Sequence, residues 1–420
     1  MTIGFCTFGC KLNQAETEEI KGKFKEKGWR VVSPFLTAVD VAVINACAVT
    51  QKAEKEVRQT IHRIKRLFPK SYLVVVGCFT EQMKIQERAN VDSWIDNSRK
   101  EDLDKLILKE LFDNKYSRHL DFKFQTLNSR QKKDRTRALI KIQSGCRRRC
   151  AYCIIPYLRK KNYSKPLRQV IREVKQKQKK GFKEFVLVGV DISQYNDRGK
   201  NLVDLLKEIL RQTTILRVRL SSLWPTAISG ELIDLIKNNV RICPHLHLSV
   251  QSASDEILSK MNRNYKLEEL RKIIKKLKQI PGMNLTADVI VGFPGEREID
   301  FKQTSEFIKW AEFLKVHIFK FSPRPGTETS TFEGGVLDEI KQKRSRILRK
   351  LEQKVSGQAR KRYLNQTLPV LFEAEQNSYW SGLTANYLKI FAKSERNLTN
   401  QIIKVRLVGL HKDGIMGEIV

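Results

Sequence analysis

The stretch from Lys141 to Pro156, KIQSGCRRRCAYCIIP, constrains this chain more than any other. Cys146, Cys150 and Cys153 stand there in a C-x3-C-x2-C spacing. Three thiols in eight residues, beside Arg147, Arg148 and Arg149, are not the habit of a hydrophobic core. They suit a [4Fe–4S] cluster with one iron left without a protein ligand. An open coordination position separates a reacting metal centre from a closed structural one. A structural zinc ion would need a fourth ligand, and no histidine lies in the loop. The nearest are His119 and His245, so a zinc knuckle completed from a distance is the alternative.

A second cysteine group is scattered. Residues Ile3 to Phe8, Trp29 to Ser33, Val39 to Asn45 and Tyr72 to Val76 read as strands. Gln14 to Lys27 and Ala53 to Leu67 read as helices between them. That alternation predicts a small parallel α/β domain. Cys10, Cys47 and Cys78 each come just after a predicted strand. The carboxyl ends of parallel strands share one edge, where ligands bind. These three can therefore meet in a second three-thiolate site, although three separate buried thiols would fit the spacing as well. Cys6 and Cys243 read as small core hydrophobes.

The rest of the chain sets the frame. With 420 residues, two or three domains are expected. The chain carries 80 Lys plus Arg against 46 Asp plus Glu, a net charge of +34, which calls for a polyanionic partner, most simply nucleic acid, with an anionic membrane surface as the alternative. Between Lys123 and Arg168 there are 15 basic residues and one acid, Asp134. No apolar run is long enough for a membrane span. The start lacks the pattern of a secretory signal. Eight sparse cysteines fit a reducing cytoplasm.

After the clustered cysteines, strands near 138–143, 184–190, 216–221, 245–249, 285–291 and 314–319 alternate with helices. This pattern predicts an α/β fold with a partial (β/α)6 barrel whose chemistry sits at the carboxyl ends of the strands. The ending, from about Gln366, predicts a small β-barrel able to carry RNA. Lys389, Lys393, Lys404 and Arg406 are its candidate phosphate contacts, and Tyr379, Trp380 and Tyr387 its candidate stacking groups. The expected divisions are an N-terminal domain over 1–120, a basic linker over 121–136, a central domain over 137–358 and the terminal barrel over 359–420. No cysteine lies beyond Cys243, so the barrel is expected to be separable from both cysteine groups.

Taken together, GCRRRCAYCIIPYLR, GCKLNQAETE, NACAVTQKAEKEVRQ, VVVGCFTEQ, ADVIVGFPGE and FKFSPRPGTE resemble the radical S-adenosylmethionine (SAM) methylthiotransferases over nearly the whole chain. The resemblance implies two [4Fe–4S] clusters. Cys146, Cys150 and Cys153 would hold the one that binds SAM, and Cys10, Cys47 and Cys78 an auxiliary one that delivers sulfur. It implies that SAM is cleaved to a radical that abstracts hydrogen from carbon 2 of an adenine, with a second SAM consumed in methylating the sulfur. Tyr152, Gly189, Val190 and Asp191, with Gln251 and Arg324 near the same rim, are the implied SAM contacts. The implied partners are a tRNA anticodon stem-loop, an electron donor and a sulfur source. The C-terminal barrel resembles a TRAM domain. The opening GCKLNQAETE is similar to the members that modify threonylcarbamoyladenosine in tRNA. Those acting on isopentenyladenosine, or on an aspartate of a ribosomal protein, are the alternatives.

Lys160, Lys165, Trp224 and Ala253 depart from the family's habits, as does the FTEQ stretch after Cys78. None is a cluster ligand.

Overall fold

The computed structural model describes residues 1–32, 38–113 and 135–420. The expected end of the N-terminal domain near 120, and the linker as far as residue 134, lie outside the described residues.

The N-terminal strands are β1 (Thr2–Thr7), β2 (Arg30–Val32), β3 (Val41–Ala46), β4 (Tyr72–Gly77) and β5 (Ser93–Asp96). They form one parallel sheet in the order β2-β1-β3-β4-β5. β3 and β4 are buried along their whole length, which is why they read as unbroken apolar runs. Helix α1 (Lys11–Glu26) covers one face, packing Ile20 and Phe24 against Val41, Val43 and Val74. Helix α2 (Gln51–Leu67) covers the other, packing Val57, Ile61 and Ile64 against Ile44 and Val75.

The central domain is a partial parallel barrel. Its strands are β6 (Arg137–Lys141), β9 (Glu184–Val188), β10 (Arg217–Leu220), β11 (Ser222–Leu223), β12 (His245–Gln251), β13 (Asn284–Val291) and β14 (Lys315–Lys320). A two-residue ribbon, β7 (Gln143–Ser144) with β8 (Tyr163–Ser164), flanks the cysteine loop. The sheets β10-β9-β6 and β11-β12-β13-β14 meet at a bridge between Val218 and Ile242. β11 continues β10 after one residue; counted as one kinked strand, the two leave six, as expected. β6 and β14 are not paired, so the barrel is open on that side.

Side chains alternate along each strand. Ala138, Ile140, Phe185, Leu187, Leu246, Leu248, Ala287 and Val289 point outward to the surrounding helices and form the main core. The inward residues are of two kinds. Leu139, Val186 and Val188 receive Leu12 and Ala15 of α1. The N-terminal domain thus packs on the inner face of the barrel. Most of the remaining inward residues are polar, among them Glu184, Arg217, Arg219, His245, His247, Thr286, Asp288 and His317.

The C-terminal strands β15 (Thr367–Gln376), β16 (Tyr379–Thr384), β17 (Lys389–Ala392), β18 (Ile402–His411) and β19 (Gly414–Ile419) close into a five-stranded barrel. The helix Asp338–Lys361 leads to it, crossing the expected junction at 358 and 359 without a break. The small barrel is not an appendage. Its turn after β16 plugs the amino-terminal end of the large one. Arg217 donates to the Leu383 and Pro369 carbonyls (3.1 and 2.7 Å), and Arg219 to the Thr384 carbonyl (3.1 Å). Tyr387, held at φ +72°, stacks on His245 with centroids 4.1 Å apart. Trp380 is therefore an interior residue, and Tyr387, partly buried, is already stacked on His245 rather than offered as a platform. Lys389 and Arg406 are paired with Asp413 and Glu418. The small barrel thus completes the large barrel's floor, at the end opposite the Cys146–Cys153 loop. Among the described residues no helix is long and apolar enough to cross a membrane.

Glu184 and Arg219 make that floor a buried ion pair at 2.7 Å, each fully shielded from solvent. Burial pushes the Glu184 carboxyl up, but Arg219, Arg137 and Arg217 more than offset this and hold it below the usual range. Breaking such a pair leaves an uncompensated charge. Arg219→Met should cost about 3–5 kcal/mol in denaturant unfolding at pH 7. The pair's contribution is fully present above the unfolded carboxylate value of about 4.3 and is lost as the pH falls through the lower folded value. The deficit of Arg219→Met should therefore shrink on acidification.

Candidate cluster sites at the domain interface

Topology assembles the first group. β1, β3 and β4 are neighbours in the sheet, and a cysteine follows the carboxyl end of each. Ala46 pairs with Gly77, so Cys47 and Cys78 leave the sheet side by side, and the Cys78 amide donates to the Ala46 carbonyl (3.2 Å). Cys10 joins them through Gly9, at φ +85°. A Cβ on Gly9 would lie 2.6 Å from Cys47 Sγ. Asn97 Nδ2 donates to Cys78 Sγ (3.2 Å) and to the Leu158 carbonyl (3.3 Å), tying the group to the central domain.

The second group is local. The Cys146–Cys153 loop lies over the carboxyl ends of the barrel strands. Ala151 fastens it: its amide donates to the Met261 carbonyl (3.0 Å) and its carbonyl accepts from the Thr329 amide (3.0 Å). Gln194 Nε2 donates to Cys146 Sγ (3.1 Å) and to Asp191 Oδ2 (2.9 Å).

Charge is arranged alike around both groups. Burial pushes up the thiols of Cys10, Cys47, Cys146, Cys150 and Cys153, with Cys47 and Cys153 reaching about 12. Against that, the Arg159 guanidinium acts on Cys10 and Cys47, and that of Arg263 on Cys150 and Cys153. Thiols with values raised in this way give up their protons when a metal takes their place. A buried guanidinium beside each triad then offsets the charge of three thiolates. The donor sets therefore fit the expected clusters.

The two groups are joined by a buried polar network. Arg159 follows the cysteine loop and donates to both Glu16 oxygens (2.7 and 2.9 Å), to Asn13 Oδ1 (2.7 Å) and to Ser144 Oγ (2.9 Å). Asn13 in turn donates to the Phe8 and Ala46 carbonyls (3.0 and 2.9 Å), which flank Cys10 and Cys47 in the chain. Lys100 also pairs with Glu16 (2.7 Å). Burial opposes the Glu16 charge, yet Lys100, Arg159 and Lys141 hold its carboxyl well below the usual range. A cleft of about 700 Å³ runs along this interface, lined by Gly77, Asn97 and Lys100 on one side and by Ser144, Tyr157 and Lys160 on the other.

The expected SAM contacts divide. Gly189, Val190 and Asp191 lie beside Cys146: Gln143 Oε1 accepts from the Val190 and Asp191 amides (2.9 and 3.2 Å), and Asp191 pairs with Arg148 (2.8 Å). Tyr152, edge-on to Phe293, accepts from Arg263 (3.0 Å). Gln251 is buried at a bulge in β12, at φ +68°. Arg324 faces the N-terminal domain and pairs with Glu54 of α2 (2.6 Å). Of the departures, Trp224 is stacked between Arg148 and Arg263, at 3.8 and 3.9 Å. Lys165 pairs with Glu19 and Glu173. Ala253 is buried, and Lys160 is exposed at the cleft.

One constellation was not singled out from the sequence. His247, Asp288 and His317 bring ligand atoms within 4.8 Å of one another in the barrel lumen. The signal was present in HLHLSVQ, where polar and apolar residues alternate along a strand with a helix-covered outer face.

Gly9 has a specific consequence. Gly9→Ala adds a Cβ to a left-handed position already filled by the Cys47 thiol. Anaerobically reconstituted Gly9→Ala should hold about half of the wild-type iron and sulfide, because only the Cys10, Cys47 and Cys78 site is disturbed. Full iron content in the variant would contradict the geometry.

A model described as the Radical SAM superfamily matches residues 140–308, and one described as Uncharacterized protein family UPF0004 matches residues 2–96. Among solved structures, the radical S-adenosylmethionine methyltransferase TsrM from Kitasatospora setae aligns with a TM-score of 0.57 at 14% identity, covering 78% of this chain and 76% of that one. That likeness concerns the fold. The threonylcarbamoyladenosine tRNA methylthiotransferase MtaB of Thermotoga maritima is 36% identical over 99% of this chain and 96% of its own length. The MtaB of Aquifex aeolicus is 37% identical over 93% and 96%. A tRNA-2-methylthio-N(6)-dimethylallyladenosine synthase from Thermodesulfovibrio yellowstonii is 30% identical over 99% and 97%. With relatives this similar along its whole length, and with both cysteine groups assembled on its fold, the chain belongs to the radical SAM methylthiotransferase family, among its MtaB-like members.

Proposed function

We propose that this protein converts N6-threonylcarbamoyladenosine, next to the anticodon of tRNA, to its 2-methylthio derivative. The observation that carries the reading is the meeting of two three-cysteine groups across one buried interface, in a chain 36–37% identical to two MtaB proteins. Cys146, Cys150 and Cys153 would hold one [4Fe–4S] cluster with SAM at its open iron, and Cys10, Cys47 and Cys78 a second. When bound, these groups supply the radical that removes hydrogen from carbon 2 of the adenine and the methylated sulfur that replaces it.

The chain's own residues bind, orient and shield. Gln143 fixes the Gly189–Asp191 turn by accepting two of its amides. Gly189 must stay small, since a Cβ there would meet Gln143 at 2.8 Å. We assign Tyr152, Gly189, Val190, Asp191 and Gln251 to SAM. Arg324, engaged by Glu54, serves to seat α2 and with it Cys47. The tRNA is held through phosphate contacts by the basic surface, including exposed Arg147 and Arg149 beside the cysteine loop. A reductant and a sulfur source come from outside the chain.

Two measurements test this. Reconstituted protein is offered tRNA bearing threonylcarbamoyladenosine, tRNA bearing isopentenyladenosine and the ribosomal protein in competition, and products are read by mass spectrometry. The first should be turned over fastest; preference for either competitor would overturn the substrate assignment. Separately, alanine at Cys10, Cys47 and Cys78 together should abolish methylthio product while 5′-deoxyadenosine is still formed. Alanine at Cys146, Cys150 and Cys153 should abolish both. Methylthio product from the first variant would refute the division of roles.

A further inference from the structure

The barrel lumen holds polar side chains that neither cysteine group uses. Along β14 the inward residues Lys315, His317 and Phe319 are exposed, and Phe319 is 41% exposed. In a filled barrel such positions are buried. The gap between β6 and β14 is therefore a side entrance to the lumen, below the rim that carries the cysteines.

One end of the lumen is cationic. Lys11 directly follows Cys10 and opens α1. Its ammonium lies over the Tyr387 ring, 5.6 Å from the centroid, and among the described residues it makes no ion pair. The lumen's arginines differ in this respect: Arg219 and Arg217 are committed to Glu184 and to carbonyls of the small barrel. From Tyr387 a line of contacts crosses the lumen. Tyr387 stacks on His245, His245 meets Thr286 Oγ1 (3.1 Å), Thr286 Oγ1 meets His247 Nδ1 (2.9 Å), and His247 Nε2 meets Asp288 (3.0 Å). His317 completes the group, its ring centroid 5.6 Å from that of His247. Despite this exposure, partial desolvation lowers the basicity of His317, so it serves as a neutral hydrogen-bonding group rather than as a cation.

We propose that Lys11 and the His247–Asp288–His317 group form the subsite that reads the substituent on N6 of the substrate adenosine. This rests on the threonylcarbamoyladenosine reading above and adds the residues that select it. The threonylcarbamoyl group has one anionic carboxylate, one hydroxyl and a ureido link. Lys11 supplies the free cation for the carboxylate. Asp288 and His317 supply an acceptor and a mixed donor and acceptor for the hydroxyl and ureido groups. With carbon 2 turned to the rim, the N6 substituent projects away from it into the lumen. An isopentenyl group would strip water from these side chains and replace none of their hydrogen bonds, and a site built of hydrogen-bonding groups discriminates strongly against such a ligand.

The test uses the reconstituted full-length protein and synthetic anticodon stem-loops. One carries the threonylcarbamoyl group, a second its uncharged carboxamide, a third the glycyl analogue without the hydroxyl, and a fourth isopentenyladenosine. Wild type should favour the acid over the carboxamide in kcat/KM by about 10- to 100-fold, the range of a charge-assisted hydrogen bond. Lys11→Met should bring that ratio close to one, and Lys11→Arg should retain it. His317→Phe, remote in sequence from every cysteine, should remove the preference for the threonyl over the glycyl substrate. The inference falls if Lys11→Met slows acid and carboxamide equally and His317→Phe leaves the threonyl preference intact. Faster turnover of the isopentenyl stem-loop by wild type would instead overturn the functional reading on which this subsite rests.

Discussion

The contact on which the arrangement depends is the one between Arg159 and Glu16. It joins the segment after one cysteine group to the helix after the other, with both partners nearly excluded from water. An ion pair placed so deep is not justified by stability alone, because desolvating two charges offsets much of their attraction. What it provides is register. Arg159 is forked across Glu16 and Asn13, and Asn13 holds the carbonyls of Phe8 and Ala46. A guanidinium bound in two directions fixes distance and angle together. If the two cysteine groups hold the clusters proposed above, groups that act on one atom would need that fixity, and a purely apolar interface would permit sliding.

The apolar part of the interface has a complementary role. Leu12 and Ala15 of α1 rest on Leu139, Val186 and Val188 inside the barrel. One helix thereby carries a cysteine at its start, a polar anchor in its second turn and a share of the barrel's inner packing. The opposite end of the lumen is closed by the turn around Tyr387. The central barrel is thus completed from both ends of the chain. Its lumen is neither a filled core, as in closed (β/α)8 barrels, nor a solvent channel. Its inner face is lined largely by polar side chains and is left open where β6 and β14 do not pair. The small β-barrel is part of that lining, so cutting the chain near Gln366 would bare Glu184 and Arg219 as well as remove an RNA-binding surface.

What the sequence made legible follows from how far each signal reaches along the chain. The Cys146, Cys150 and Cys153 group was plain because its geometry is local. The Cys10, Cys47 and Cys78 group was readable only through the rule that parallel strands share an edge; that β1, β3 and β4 would be adjacent required the sheet order. The strands and the two flanking helices were legible from periodicity. The inward polar residues were not, because a strand pattern says which residues share a face but not what that face looks upon. Arg324 shows the same limit from the other side. It lies near the expected rim, and only the placement of α2 reveals Glu54 as its partner.

The charge of the chain is also more structured than its total implies. A net +34 invites the view that every basic stretch faces RNA. Yet Arg159, Arg217, Arg219, Arg263 and Arg324 are all buried. Arg159 and Arg263 oppose the ionisation cost of the cysteines, Arg217 and Arg219 seat the small barrel, and Arg324 seats α2. On the small barrel, Lys389 and Arg406 are neutralised by their own neighbours. The cations left to meet phosphate are those with no such duty, and exposed Arg147 and Arg149 lie closest to the reacting centre. Phosphate contacts at that point would set the depth to which a flipped adenosine enters the lumen, whereas the same contacts on the distal barrel would only raise affinity. Under the proposed function, arginines within the cysteine loop itself would therefore couple RNA docking to the position of the cluster.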